Sequence, residues 1–199
     1  PGENRFKIIS RHQSYHGFTM GAMSATGQVF RRSQYEPLVP GFIRVEPPSG
    51  GRHGSDEIAH VIEREGPDTV AAVIAEPVIG GGGVHVPPDD YFPGLREVCD
   101  HFGCLLILDE VLTGFGRTGK LFAAEHWGVV PDIMTIAKGV SSGYLPLAAC
   151  AVTEKVWTGF LGELDERKEF SQISTYGGHP TCCAAALANI EILLHERLW

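Results

Sequence analysis

Cysteine is scarce in this sequence: there are five in 199 residues, and no two are spaced as Cys-x-x-Cys. That excludes a disulfide scaffold or a cysteine metal framework. Cys99, Cys104, Cys150, Cys182 and Cys183 read instead as reduced, buried thiols of a cytoplasmic protein. Long apolar runs are missing too, since no stretch approaches the roughly 18 residues that a membrane span needs. Positive charge is in deficit, with 16 Lys and Arg against 24 Asp and Glu and a net charge of -8. A surface for nucleic acid or an anionic membrane needs clustered basic residues, so neither partner is expected. No secretory leader is evident. The chain opens on Pro1 rather than methionine, and the expectation is that the true N-terminus lies upstream.

What remains is ordinary for a folded protein: 43% hydrophobic and 20% charged residues, with mean hydropathy near zero. The length suffices for one large core or two small ones. Short apolar, β-branched runs at Phe6–Ile9, Val70–Ala75, Leu105–Leu108, Ile133–Ile136 and Ala148–Val152 predict strands. Between them, amphipathic stretches predict helices over Ser55–Glu65 with Ser55 as N-cap, Asp90–Phe102 ending at Gly103, and Pro180–Arg197. Strands alternating with helices imply an α/β fold with a mostly parallel sheet and helices on both faces. In such sheets ligands gather at the carboxyl ends of the strands.

Three strand ends carry polar residues. "VAAVIAEP" ends on Glu76, "LLILDE" on Asp109 and Glu110, and "DIMTIAKG" on Lys138. A charge at the end of a buried run must be paired, because an isolated buried charge costs several kcal/mol. The three are expected to meet at one edge of the sheet.

Gly114–Lys120 reads GxxxxGK, but Leu121 follows where a nucleotide site needs a Ser or Thr hydroxyl for Mg²⁺. The glycines also trail the strand-end acid instead of opening a helix directly after the strand, which argues against a phosphate-binding loop. Gly80–Gly83 does not match GxGxxG and reads as a flexible turn. His16 and His179 lack further ligands at spacings that would close a metal site, and His16 reads as a loop residue or one supporting the site from behind. A lysine at a strand end with a buried aspartate nearby suits Schiff-base chemistry with pyridoxal phosphate. The lysine supplies the amine, and the carboxylate holds the ring nitrogen protonated.

The segments "SYHGFTMGAMSATG", "IAEPVIGGGGV", "LLILDEVLTGFGRTGKLFAAEHWGVVPDIMTIAKG" and "STYGGHPTCCAAALANIEIL" together resemble the class III, or ω-type, pyridoxal-phosphate-dependent aminotransferases of fold type I. The resemblance implies that residues 1–199 are the central part of the cofactor-binding large domain. By the same resemblance Lys138 carries the Schiff base and moves the substrate proton, while Asp109 salt-bridges the ring nitrogen. Tyr15 and Val111 cover the two ring faces, and Glu76 lies near the ring, supporting Asp109 or the ring hydroxyl. Thr175 binds the phosphate of the neighbouring subunit's cofactor, so the site is expected to belong to a homodimer. Arg117 is assigned to the subunit interface or a loop turn.

The implied reaction passes an amino group from an amine or ω-amino acid to a keto acid, pyruvate or 2-oxoglutarate. An aminomutase or decarboxylase uses the same Lys138 and Asp109, and a non-catalytic fragment is an alternative of another class. Two departures from the family pattern stand out. Gln172-Ile173 replaces a His-Gly pair before the threonine region, and the chain has about half the family's length. The upstream phosphate loop and the C-terminal small domain are therefore expected to lie outside it.

Overall fold

The computed structural model describes residues 4–48 and 54–199. Six strands form one sheet in the order β2-β1-β3-β4-β5-β6. They are β1 (Lys7–Arg11), β2 (Phe42–Val45), β3 (Val70–Ala75), β4 (Leu105–Asp109), β5 (Ile133–Ile136) and β6 (Ala149–Val152). Every neighbouring pair is parallel except β5 with β6, which is antiparallel. The helices are α1 (Met20–Ala25), α2 (Val29–Arg32), α3 (Gly54–Glu65), α4 (Tyr91–Phe102), α5 (Glu154–Thr158) and α6 (Pro180–Glu196).

The core lies where α3 and α4 cover one face of the sheet. Ile58, Val61 and Ile62 from α3 and Phe92, Leu95 and Cys99 from α4 pack on Ile9, Val73, Leu106 and Leu108. These helix residues recur three and four apart, so each helix lays one apolar stripe on the strands. Gly103 ends α4 with φ 66°, a left-handed turn that suits glycine. Arg96 of α4 pairs with Asp132 at 2.8 Å, and the same carboxylate oxygen accepts the Leu106 N–H, which ties the helix to the start of β4 and the approach to β5.

Four expectations need correction. Phe42–Val45 is a strand that the sequence hides, because four residues with a central arginine show little apolar pattern. Ser55 sits inside α3, after Gly54, with its side chain buried rather than capping. The first and last strands in sequence, β1 and β6, start one residue late, at Lys7 and Ala149. Cys150 is exposed, because β6 is an edge strand without a buried residue, and Cys183 is only half-buried, although all five thiols are free.

Candidate active site

Glu76, Asp109 and Lys138 follow or end β3, β4 and β5, three adjacent strands. Their arrival at one carboxyl edge follows from the parallel register, in which Asp109 stands opposite Thr135, three residues before Lys138. Each is held differently.

Asp109 is nearly buried, with a side chain 9% exposed, and is bonded at both oxygens. Oδ1 accepts the Val111 N–H at 3.1 Å, and Oδ2 lies 2.8 Å from Nδ1 of His16. A carboxylate only accepts, so Nδ1 carries the hydrogen, and His16 fixes the plane of the acid. The imidazole is 1% exposed, and its backbone N–H donates to Thr26 Oγ1 at 3.0 Å. Nε2 is buried with no partner among the described residues, which suits the bare lone pair left when Nδ1 is the donor. His16 therefore stands directly behind the aspartate.

Glu76 also sits at the edge but makes no hydrogen bond to Asp109 among the described residues. Its Oε1 accepts the Tyr15 N–H at 2.8 Å, and its Oε2 accepts the Gly80 N–H at 3.1 Å. Burial raises its pKa above the ordinary carboxyl value, opposed by the Tyr15 amide and by the nearby His16. Its backbone carbonyl accepts from the buried guanidinium of Arg11 on β1. Glu76 thus clamps the loop that presents Tyr15 to the turn after its own strand. Tyr15 is half-buried, with its ring edge against Phe18 and the Arg31 guanidinium 5.0 Å from its centroid. Val111 is half-buried two residues beyond Asp109.

Lys138 opens a single helical turn over Lys138–Val140 and has φ 45°. A left-handed backbone at a residue with a Cβ costs roughly 1 kcal/mol and persists only where neighbours impose it. Among the described residues its ammonium has no carboxylate within ion-pair distance. Lys138 is exposed, because β5 is only half-buried and the lysine faces an open cleft of about 590 Å³. Leu112, Phe115, Arg117, Ser142 and Leu198 share that lining.

Asn189, on α6, escapes a reading of the sequence. Its amide nitrogen donates to the carbonyls of Gly139 at 2.9 Å and Val140 at 3.0 Å, and its Oδ1 accepts from Ser142 Oγ at 2.6 Å. The one available signal was a lone amide within the apolar "AAALANIEIL".

The glycine-rich loop behaves as structure. Glu110 is fully buried and accepts from Thr113 Oγ1 and from the amides of Ala123 and Ala124, which closes the loop at its base. The Phe115 and Gly116 amides donate to the Leu121 carbonyl, so the groups that a phosphate cradle needs are engaged internally. Lys120 is exposed and opens no α-helix. Thr175 lies in the exposed segment 171–179, outside the cleft lining. His179 precedes α6 at the N-cap position without a side-chain capping bond, and among the described residues no His, Cys, Asp or Glu cluster could hold a metal.

A mostly parallel sheet whose carboxyl edge presents a histidine-backed aspartate beside a lysine-bearing turn defines an α/β domain of the fold type I transferase class. The match of residues 2–199 to aminotransferase class-III then places the chain: it belongs to that family. It is 45% identical to an uncharacterized aminotransferase of Bacillus subtilis over 98% of this chain and 45% of that protein. It is 44% identical to the taurine–pyruvate aminotransferase of Bilophila wadsworthia over 99% of this chain and 46% of that protein. Among solved structures, a Bacillus anthracis aminotransferase superposes with a TM-score of 0.95 at 45% identity, covering 98% of this chain and 46% of that one. An amine transaminase from an uncultivated Pseudomonas species, in a PLP-bound form, gives 0.93 at 39% identity over 98% and 47%. The chain thus spans about half the length of the relatives it matches.

Proposed function

We propose that this segment carries the catalytic lysine of a pyridoxal-phosphate-dependent transaminase acting on an amine or ω-amino acid and a small keto acid. The observation that carries the reading is the placement of Asp109, backed by His16, and Lys138 at the ends of adjacent strands. The donor set fits the cofactor: a nearly buried carboxylate whose two oxygens each take a single protein donor, a lysine without an ion-pair partner among the described residues, and a tyrosine adjoining the His16 that backs the carboxylate. When bound, pyridoxal phosphate supplies a carbonyl that condenses with amines and a protonated ring that withdraws electrons.

The residues divide the remaining work. Lys138 binds the cofactor through Nζ and, once released by the donor amine, carries the proton to and from the substrate carbon bearing nitrogen. Asp109 keeps the proton on the ring nitrogen, and His16 fixes the carboxylate plane for that contact. Tyr15 and Val111 confine the ring, and Glu76 supports Tyr15 through its backbone. Thr175, exposed on its segment, serves the phosphate of the neighbouring site in a homodimer. The printed name of the Bilophila relative supports pyruvate as acceptor, with 2-oxoglutarate a second choice. Five free thiols fit a cytoplasmic setting, and no helix among the described residues is long and apolar enough to cross a membrane.

Alanine formation from pyruvate and an amine donor by the full-length protein tests the assignment. K138A is expected to lose about 10²–10⁴-fold in rate. D109A, which leaves the ring nitrogen without its carboxylate, is expected to lose about a hundredfold. A K138A protein that turns over at the wild-type rate contradicts the assignment.

A further inference from the structure

The turn that carries Lys138 is held by few contacts from its own strand. β5 is only half-buried, and after the Val140 N–H bond to Ala137 O at 3.1 Å the turn closes on two longer backbone bonds, Ser141 N–H to Lys138 O and Ser142 N–H to Gly139 O, both at 3.3 Å. Lys138 nevertheless keeps the left-handed φ of 45°, and Ser142 a φ of 49°. Two residues with Cβ atoms in that region within five positions require outside restraint.

One restraint is steric. A Cβ on Gly139 would stand 2.9 Å from the Phe115 Cβ, so the turn already lies hard against the glycine-rich loop. Ser141 Oγ donates to the Leu145 carbonyl at 2.5 Å, and the long-range restraint is Asn189, 50 residues away from Gly139 in sequence, which spends both amide donors on this turn. Its NH₂ group donates to the two carbonyls that directly follow Lys138, and its oxygen accepts from Ser142, the second left-handed residue. A single side chain therefore bonds residues 139, 140 and 142 of the strained stretch and anchors it to the 17-residue α6, the longest helix among the described residues.

We propose that Asn189 is a positioning residue for Lys138. It holds residues 139–142 so that the lysine backbone stays left-handed and Nζ is presented to the cofactor carbonyl. Without it the Val140 carbonyl loses its donor, the Gly139 carbonyl keeps only the long bond from the Ser142 N–H, and Lys138 relaxes toward the ordinary right-handed or extended regions, which redirects its side chain. Asn189 acts through the backbone of the turn, and Lys138 does the chemistry. This rests on Lys138 being the cofactor-bearing lysine.

The test is the rate at which full-length apo-protein takes up saturating pyridoxal phosphate. Stopped-flow absorbance follows the uptake, and borohydride reduction with peptide mapping locates the attachment. N189L keeps the volume of the side chain, adds no charge and removes all three bonds. N189A is read alongside it, and circular dichroism checks that each variant is folded at the assay temperature. The expected result is attachment at Lys138 in every protein, with a roughly tenfold slower approach in N189L and N189A. A role in packing alone predicts that N189L reacts at the wild-type rate, and that result overturns the proposal; if N189L does not fold, a wild-type rate in N189A does so. Attachment of the wild-type protein at another lysine is a separate outcome, because it removes the assignment of Lys138 itself.

Discussion

Asp109 and Glu110 are neighbouring acids with different tasks. Alternation along the strand end sends their side chains to different surroundings. Asp109 meets His16 and keeps acceptor capacity toward the site, whereas Glu110 turns inward and spends its oxygens on a hydroxyl and two amides. Glu76 is a third case. A carboxylate bound by two backbone amides ought to be easily ionised, yet burial is the larger effect and raises its pKa. The folded state therefore binds the Glu76 proton more tightly than the unfolded state does. The contribution of Glu76 to stability is fully present below the ordinary carboxyl value and is lost as pH rises through the raised folded value. Urea denaturation of wild type and E76Q at acidic and at neutral pH measures this. The difference in stability should favour wild type more at the acidic end; a difference that grows toward neutral pH contradicts the burial account.

At the scale of elements, the loop between β3 and α4 reads as slack in the sequence but is pinned in the structure. Ile79 and His85 bridge across the four glycines, Gly80 donates to Glu76, and the turn packs on the loop after β1. A Cβ on Gly82 would lie 2.2 Å from the Gln13 carbonyl oxygen, a backbone atom that cannot step aside, two residues before Tyr15. G82A should therefore lower stability by about 1–3 kcal/mol. G81A, which meets only the end of the Gln28 side chain at 3.3 Å, should change it far less. Midpoints of urea unfolding decide; equal midpoints for the two variants would mean that the turn is as slack as the sequence suggests. The strands β3, β4 and β5 were legible because their apolar runs are uninterrupted. β2 was not, since Arg44 occupies its centre and its side chain bonds the Ser24 and Thr26 carbonyls, contacts with no local signature.

For the whole molecule, the order of strands and helices together with the strand-end residues was enough to place the acid and the lysine at one edge. Parallel strands joined by helices leave few other arrangements. What the sequence could not disclose were the long-range partners. His16 reaches Asp109 across 93 residues and Asn189 reaches Gly139 across 50, through side-chain bonds that no periodicity encodes. The exposure of Lys138 was hidden as well, because it depends on how little covers β5 and β6. Exposed Tyr144, Ile173 and Tyr176, each more than 80% accessible, lie on the later segments of the chain. The central claim is that Lys138, and no other lysine, carries the cofactor. Incubating the full-length protein with pyridoxal phosphate, reducing it with borohydride and mapping the modified peptide by mass spectrometry measures this directly. The account predicts one stable adduct, on Lys138, that is absent from K138A; an adduct on Lys120 or Lys155 with Lys138 unmodified would contradict it.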